Sequence, residues 1–271
     1  MTKRQPPYGK AYKNAGFLSS PAARGLRILA EYMEPLDRFR HYRIEDTIIF
    51  FGSARILPPA QAEEELAAAQ AGDGDPEAAQ QRLEMSRYYE ATRELAYRLT
   101  LWSKGLDETD RRFVVCSGGG PGIMEAANLG ASQAKGVNIG LNITVPFETR
   151  DNPHVTRELV FDFHYFFMRK FWFAYLAKAV VVMPGGFGTL DELFELLTLV
   201  QTKKITKPMP IVLFGSDYWS EVVNFDALQR YGTIGSADQD LVFRTDSVDQ
   251  AYDFVTAQLS ETALASPGAS L

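Results

Sequence analysis

Residues 179–192 read AVVVMPGGFGTLDE, an apolar run followed by a turn with three glycines and by two carboxylates. A continuous apolar run of this length is typical of a strand covered on both faces, as in a parallel sheet. Pro184 and the glycines end the strand, and the apolar spacing beyond them predicts a helix over 189–203. The stretch is therefore a strand–turn–helix unit of a parallel α/β sheet.

The same alternation of apolar runs and helical patterns continues on both sides of this unit. The predicted strands are 47–51, 113–116, 137–143, 159–163, 179–183, 211–214 and a shorter 241–244. The predicted helices are 80–102, 121–135, 166–178, 189–203, 218–229 and 248–259. This order predicts a Rossmann-like, doubly wound, mostly parallel sheet flanked by helices, which binds ligands outside the carboxyl ends of its strands.

The chain is predicted to hold one such domain with two additions. We place an N-terminal arm and helix at 1–44, the Rossmann-like domain at 45–259 and a flexible C-terminal tail at 260–271. Apolar residues at helical spacing predict a helix over 24–39. Residues 58–76, rich in Ala, Gln, Glu and Gly, are interpreted as a solvated surface insertion before a long helix.

Composition excludes several classes of function. The 271 residues carry 28 Lys and Arg against 34 Asp and Glu, a formal net charge of -6, so no broad basic surface for nucleic acid is expected. No apolar run reaches the length of a membrane span, and residues 1–15 lack the apolar core of a secretion signal. We therefore expect a cytoplasmic protein whose anionic ligand is met by a local cluster of positive groups.

Cysteine and histidine usage gives no sign of a metal or a cofactor. Cys116 is the only cysteine, which excludes an internal disulfide and suits core packing. The three histidines, His41, His154 and His164, are too scattered to suggest zinc. A pyridoxal-dependent enzyme needs a lysine placed for a Schiff base, and no lysine is distinctive in that way.

Three predicted strand-to-helix junctions carry unusual residues. They are Gly52-Ser53 with Arg55 beyond it, Gly118-Gly119-Gly120 before Pro121, and the turn at 184–188. Glycine allows a ligand to approach the backbone, Pro121 suits a first helical turn, and helix N-termini offer N–H groups to an anion. Glycines also serve ordinary tight turns. Neither glycine run has the dinucleotide or P-loop spacing, so a mononucleotide or sugar phosphate is the predicted ligand.

Charged residues near these junctions have two interpretations each. Arg169 and Lys170 stand in the aromatic stretch 164–172, where they either meet an anion or extend their charged ends to solvent. Asp191 and Glu192 are predicted in the first turn of a helix, where the helix dipole alone favours carboxylates. Arg169, Lys170, Asp191 and Glu192 are therefore candidate site residues.

These residues resemble those of a known family. Residues 184–192 match the P-G-G-x-G-T-x-x-E motif of the LOG ("lonely guy") proteins, which are often misnamed lysine decarboxylases. Arg169 and Lys170 match the family's R-K pair, with the same separation of 23 positions from Arg169 to Glu192. The glycine-rich 117–125 and the Gly52-Ser53 turn match as well, so the resemblance covers 47–231.

The resemblance implies a nucleoside 5′-monophosphate phosphoribohydrolase, in which water cleaves the N-glycosidic bond of AMP or of a cytokinin riboside monophosphate. It implies that Arg169 and Glu192 are the catalytic pair. It also implies a set of substrate-binding residues: Ser53, Gly118, Gly119, Gly120, Glu148, Lys170, Gly185, Gly186, Phe187, Gly188, Thr189 and Thr198. No metal is needed for this reaction, and a homodimer or higher homo-oligomer is implied.

The chain departs from the plant-type members of the family. Phe167 stands where they carry a His, and the N-terminal arm and the 58–76 insertion are additional, as in longer bacterial members. A nearby carboxylate can stabilise an oxocarbenium-like state and activate water, which fits Glu192. A nucleotide-binding sensor or carrier without turnover is the alternative, since the glycine junctions alone would serve it.

Overall fold

Seven parallel strands form one sheet in the computed structural model, which describes residues 9–106, 110–143 and 152–268. The strands are β1 Thr47–Phe51, β2 Val114–Ser117, β3 Asn138–Ile143, β4 Val160–Phe163, β5 Ala177–Val182, β6 Ile211–Phe214 and β7 Val242–Thr245. Their order across the sheet is β4-β3-β2-β1-β5-β6-β7, and every pairing is parallel. The predicted α/β class is confirmed, and the sheet is fully parallel within the described residues.

Helices connect the strands and precede them. They are α1 Ala15–Leu18, α2 Arg24–His41, α3 Pro59–Gln70, α4 Pro76–Lys104, α5 Ile123–Gln133, α6 Phe166–Leu176, α7 Phe187–Gln201, α8 Ser216–Val222, α9 Phe225–Arg230 and α10 Val248–Thr262. Among the described residues, no helix is both long and apolar enough to span a bilayer. The division into extension, domain and tail remains a prediction.

Burial on both faces of the sheet explains the apolar strands. All five residues of β1 are buried, and alternate side chains enter different apolar layers. Ile49 and Phe51 pack in the layer that includes Trp172 of α6, whereas Ile48 and Phe50 pack in the layer that includes Leu95 of α4. Helices therefore cover both faces, as the continuous apolar runs predict.

The chain changes direction at the middle of the sheet. It runs outward from β1 through β2 and β3 to β4, and then returns to place β5 on the other side of β1. In such sheets the carboxyl ends of the two central strands diverge into a crevice where ligands bind. The turns after β1 and β5 lie at this switch point, and the glycine turn after β2 lies beside it.

The interpretation of 58–76 as a solvated insertion is wrong. Most of it forms α3, whose Ala62 and Ala69 are fully or almost fully buried, and α3 packs on α4. An ion pair of 2.7 Å between Arg82 Nε and Glu65 Oε2 joins the two helices. Ala, Glu and Gln are strong helix formers, and the small alanines allow α3 to pack closely on α4. The Ala-, Gln- and Glu-rich composition therefore reflects a packed helix and not a solvated loop.

Two other predicted helices have different bounds. Pro121 precedes α5 rather than opening it, because Gly122 has φ +68° and forms the N-cap. The predicted helix 218–229 is two helices, α8 and α9. Val223 between them is extended, and the Asn224 side chain accepts a hydrogen bond from Ala227 N, which starts the second helix.

Candidate active site

Three backbone hydrogen bonds join the turns at the switch point. Met183 N donates to Phe51 O over 2.8 Å, and Ser53 N donates to Pro184 O over 3.0 Å. Ile123 N, at the start of α5, donates to Ser53 O over 3.1 Å. The turn after β1 is therefore bonded both to the turn after β5 and to the glycine-rich junction after β2.

Glycine is required where these turns touch. A Cβ on Gly122 would collide with Ser53 O, and the positive φ already disfavours any other residue there. A Cβ on Gly185 would collide with Thr189 Oγ1 and lie 2.9 Å from Ser53 N. These two glycines let the three turns pack against one another.

A buried polar network, which sequence reasoning missed, supports the glycine turn after β2. Gly119 N donates to Ser117 Oγ over 3.0 Å, and Ser117 Oγ donates to Asn128 Oδ1 over 2.7 Å. Asn152 Nδ2 donates to Gly120 O over 3.3 Å. Buried polar groups that are bonded in this way hold a backbone in one conformation, so the turn is rigid.

The N-terminus of α7 is open to solvent. Gly186 caps the helix without a side-chain hydrogen bond, and Gly186, Phe187 and Gly188 are exposed while Thr189 is buried. The first turn holds no acidic residue, because α7 begins at Phe187 and Glu192 lies in the second turn. The predicted first-turn position of the carboxylates is therefore wrong, and the helix dipole explains them poorly.

Arg169 and Glu192 form an ion pair beside these turns. Arg169 Nη2 donates to Glu192 Oε1 over 3.0 Å, and the two side chains are 12% and 13% exposed. The guanidinium carbon lies 5.2 Å from the ring centre of Phe166, and a Cβ on Gly118 would lie 4.0 Å from Arg169 Nη1. Arg169 Nε is buried and has no hydrogen-bond partner among the described residues. The guanidinium thus lies next to the glycine turn through its Nη1 end.

Burial raises the pKa of Glu192 to about 7. The positive charge of Arg169 opposes this effect, and Asp191 adds to it. A carboxylate with a pKa near neutrality exchanges a proton readily at physiological pH. Glu192 therefore has the acidity of a general base or acid.

Lys170 points to the neighbouring helix α7. Its Nζ lies 2.7 Å from Asp191 Oδ2 and 3.1 Å from Glu195 Oε2, and its side chain is 18% exposed. Burial lowers the pKa of Lys170, but hydrogen bonds to Asp191 and Glu195 outweigh it, so the pKa is raised. Lys170 does not extend freely into solvent, and it is charged.

A groove runs along α7 from Lys170. Lys170, Phe187, Phe194 and Thr198 are among its lining residues. Phe187 is 93% exposed, and the Thr198 hydroxyl donates to Phe194 O over 2.7 Å within the helix. Most predicted site residues thus lie around one crevice, with Thr198 in the adjoining groove, whereas Glu148 lies outside the described residues. Among described residues, no group of His, Cys, Asp and Glu is arranged to hold a metal ion.

Residues 124–255 match the family model described as "Possible lysine decarboxylase". This segment, just under half of the chain, is similar to the family that includes the LOG proteins. The recognition based on 117–125, Arg169-Lys170 and 184–192 is therefore confirmed. The matched residues include Arg169, Glu192 and the turn between β5 and α7. No curated protein matches the chain.

Several solved structures are similar to this chain at low identity. TM1055, a structural genomics target, is 18% identical with a TM-score of 0.48, covering 78% of this chain and 99% of its own. The molybdenum cofactor carrier protein from Chlamydomonas reinhardtii is 17% identical with a TM-score of 0.46, covering 80% and 99%. The molybdenum cofactor binding protein from Rippkaea orientalis is 16% identical with a TM-score of 0.45, covering 79% and 96%. Likeness at this level says nothing about ligand or activity.

Proposed function

We propose that the protein is a hydrolase that cleaves the N-glycosidic bond of purine nucleoside 5′-monophosphates. The substrates are AMP or a cytokinin riboside 5′-monophosphate, and the products are the free base and ribose 5-phosphate. The observation that carries the proposal is the Arg169–Glu192 pair, held at 3.0 Å beside three glycine turns at the switch point of the sheet.

Glu192 is the proposed catalytic carboxylate. Cleavage of an N-glycosidic bond passes through an oxocarbenium-like state, which a nearby negative charge stabilises. With a pKa of about 7, Glu192 is also able to take a proton from the attacking water. Both roles require the ionised carboxylate, so activity depends on its deprotonation.

Arg169 is the proposed partner of Glu192 in the reaction. Its Nη2 holds the carboxylate, and its Nη1 lies next to the glycine turn after β2. A guanidinium binds oxygen and nitrogen acceptors in a fixed plane, which suits it to orient the ribose or to stabilise the departing base. Lys170 adds positive charge one residue further along, where Asp191 and Glu195 fix its position.

The 5′-phosphate is proposed to bind at the N-terminus of α7. A Cβ on Gly186 or Gly188 would have no neighbouring atom within 4 Å among the described residues, so a ligand can reach the backbone there. Buried Thr189 lies at the third position of the helix. Helix N-termini bind phosphate through free N–H groups and the helix dipole. Phosphate bound there positions the ribose for attack through binding energy remote from the reacting bond.

Self-association is part of the proposal. Phe166, Phe167 and Phe187 are 52%, 54% and 93% exposed, around the site rather than in the core. Large exposed aromatic side chains that cluster are typical of interfaces. A homodimer or higher homo-oligomer that covers them is expected, and light scattering that gives a monomer at all concentrations would contradict it.

The residues do not fit the pyridoxal phosphate that a lysine decarboxylase uses. A Schiff-base lysine is activated by a lowered pKa, whereas two carboxylates raise the pKa of Lys170 in the site. Burial lowers the pKa of Lys207 to about 7, but its Nζ donates to the carbonyls of Ala174 and Tyr175, at the opposite end of α6 from Arg169. Neither lysine is placed for that chemistry.

The test is incubation of the purified protein with AMP, GMP, CMP and UMP, followed by chromatography of the free base. We expect base release from the purine nucleotides and none from a Glu192→Gln variant. Release from no nucleotide would refute the hydrolase. If calorimetry then shows tight AMP binding that is unchanged in Glu192→Gln, the protein is a nucleotide-binding sensor or carrier, the function that the glycine turns alone support.

A further inference from the structure

We propose that Glu31 of the N-terminal extension is a positioning residue for Arg169. The inference rests on the proposed function of the Arg169–Glu192 pair. It assigns a role to helix α2, which lies outside the sheet and its crossovers.

Glu31 binds the turn that leads into α6. Its Oε1 accepts a hydrogen bond of 2.9 Å from His164 N, and its Oε2 accepts one of 3.2 Å from Tyr165 N. Both oxygens of one carboxylate therefore hold two consecutive backbone N–H groups. Hydrogen bonds to a charged acceptor are roughly twice as strong as neutral ones, so this contact fixes the turn.

The N-terminus of α6 has no equivalent support of its own. Tyr165 caps the helix without a side-chain hydrogen bond, and the first turn carries no acidic residue. A carboxylate at this end of a helix also interacts favourably with the helix dipole. Glu31 therefore supplies from a distant segment what α6 lacks locally.

Arg169 lies one turn from this contact. Its backbone N–H donates to Tyr165 O over 3.2 Å, so the residue held by Glu31 is bonded directly to the residue that carries the guanidinium. A shift of the 164–165 turn moves the start of α6, and the Arg169 side chain moves with it. An active-site group displaced by about 1 Å can reduce a rate by as much as 10²-fold.

Contacts that do not involve the Glu31 side chain hold α2 against α6. Trp172 Nε1 donates to Glu31 O over 2.9 Å, and Tyr32 stacks on Trp172 with ring centres 5.8 Å apart. Phe39 packs on the same indole at 5.3 Å. Because these contacts persist when the carboxylate is removed, Glu31→Ala is expected to fold with α2 in place.

The chain offers a matched control on the same helix. Arg38 is also a charged side chain of α2 that bonds to the backbone of the domain, with Nη1 donating to Val160 O over 2.6 Å. Val160 begins β4 at the edge of the sheet, at the opposite end of that strand from the turn that Glu31 binds. Arg38→Gln therefore weakens the contact of α2 with β4 while it retains both hydrogen bonds from the turn before α6 to Glu31.

The experiment measures kcat, KM and the pH dependence of kcat/KM for AMP with wild type, Glu31→Ala, Glu31→Gln and Arg38→Gln. We expect Glu31→Ala to lower kcat roughly tenfold with a smaller change in KM. Glu31→Gln retains one acceptor oxygen and should recover part of the loss. Arg38→Gln should keep the wild-type kcat per folded molecule.

The pH profile separates positioning from a general loss of stability. Glu192 is surrounded by Arg169 and Lys170 of α6, Asp191 and Glu195 of α7, and Cys116 of β2. Of these groups, Arg169 has the largest effect in lowering its pKa. If Arg169 withdraws, the acid limb moves to higher pH, by about one pH unit for complete loss of the pair. An unchanged profile in Glu31→Ala would overturn the proposal.

A second measurement decides the matter if wild type releases no base from any nucleotide, which refutes the hydrolase alone. Carbon NMR of glutamate-labelled protein follows the Glu192 carboxyl, with Glu192→Gln identifying its resonance. A higher midpoint in Glu31→Ala than in wild type and Arg38→Gln supports positioning by Glu31. Equal midpoints in all three proteins overturn it.

Discussion

Two arginine–carboxylate pairs lie at opposite edges of the sheet, and they differ in how fully they are satisfied. At the carboxyl edge, Arg169 Nη2 donates to Glu192, and within the part of the chain that the structure describes its buried Nε has no partner. At the amino edge, Arg112 Nε donates to Asp46 Oδ2 over 2.7 Å, with the two side chains 1% and 0% exposed. The first pair has unused hydrogen-bonding capacity beside an open crevice.

The pair at the amino edge is saturated by its surroundings. Arg112 also donates to the carbonyls of Ala263 and Leu264, and Asp46 Oδ1 accepts from Phe113 N over 2.6 Å. Lys178 Nζ donates to Ser266 O over 3.0 Å at the same edge. These bonds fasten the segment after α10 beneath β1 and β2. The comparison indicates that the saturated pair serves the fold, whereas the pair at the carboxyl edge remains partly exposed, at 12% and 13%.

The largest expected effect separates the two pairs through activity. Glu192→Gln removes the charge that stabilises an oxocarbenium-like state and the base that activates water. We expect kcat for AMP to fall roughly 10²–10⁴-fold, the range that general acid–base groups contribute. Circular dichroism and thermal unfolding should show a folded protein. A variant that retains half of the wild-type kcat would show that Glu192 is not the catalytic carboxylate.

Asp46→Ala should have the opposite pattern, a loss of stability without a loss of chemistry. The substitution leaves the Arg112 charge buried without its carboxylate and Phe113 N–H without its acceptor. Removal of one partner from a buried pair lowers the free energy of unfolding by about 3–5 kcal/mol. Urea denaturation measures this loss, and kcat per folded molecule should match wild type. A fall in kcat at full folding would remove the functional contrast between the edges.

The sequence predicts the site better than it predicts the pair at the amino edge. Residues 184–192 and the 23 positions from Arg169 to Glu192 are a local pattern that can be read directly. By contrast, 66 positions separate Asp46 from Arg112, and 133 separate Glu31 from His164. Contacts between residues so far apart depend on how the elements pack, and no periodicity in the chain marks them.

The fold shows the same limit. The order of strands and helices follows from apolar runs and glycine turns, which are local signals. The docking of α3 does not, because a stretch of Ala, Gln and Glu is equally compatible with a solvated loop until Ala62 and Ala69 meet α4. Likewise, α5 begins after Pro121 because Gly122 has a positive φ. Gly122 lies against Ser53 O in the turn after β1, where a Cβ would collide, and this long-range contact is not visible in the local sequence.

The pH dependence of turnover gives a smaller, graded test of the comparison. Because burial raises the pKa of Glu192 to about 7, the ionised form decreases as the pH falls through that value. The value of kcat/KM should therefore fall about tenfold per pH unit below about pH 7. Assays from pH 5 to 9 measure this limb, with unfolding checked at each pH. A limb near pH 4.5 would mean that Glu192 is hydrated as an ordinary surface carboxylate.

The smallest expected effect comes from two glycines of one turn and tests which space the phosphate occupies. At Gly188 a Cβ has no neighbour within 4 Å, and alanine suits a helix better than glycine by roughly 0.5–1 kcal/mol. Gly188→Ala should thus unfold no more easily than wild type, but its methyl group enters the space proposed for the phosphate and raises KM several-fold.

Gly185→Ala is the counterpart, because its Cβ collides with Thr189 and should lower the free energy of unfolding by about 1–3 kcal/mol. A KM that stays at the wild-type value in Gly188→Ala would place the phosphate elsewhere, and the open N-terminus of α7 would then lose its assigned role.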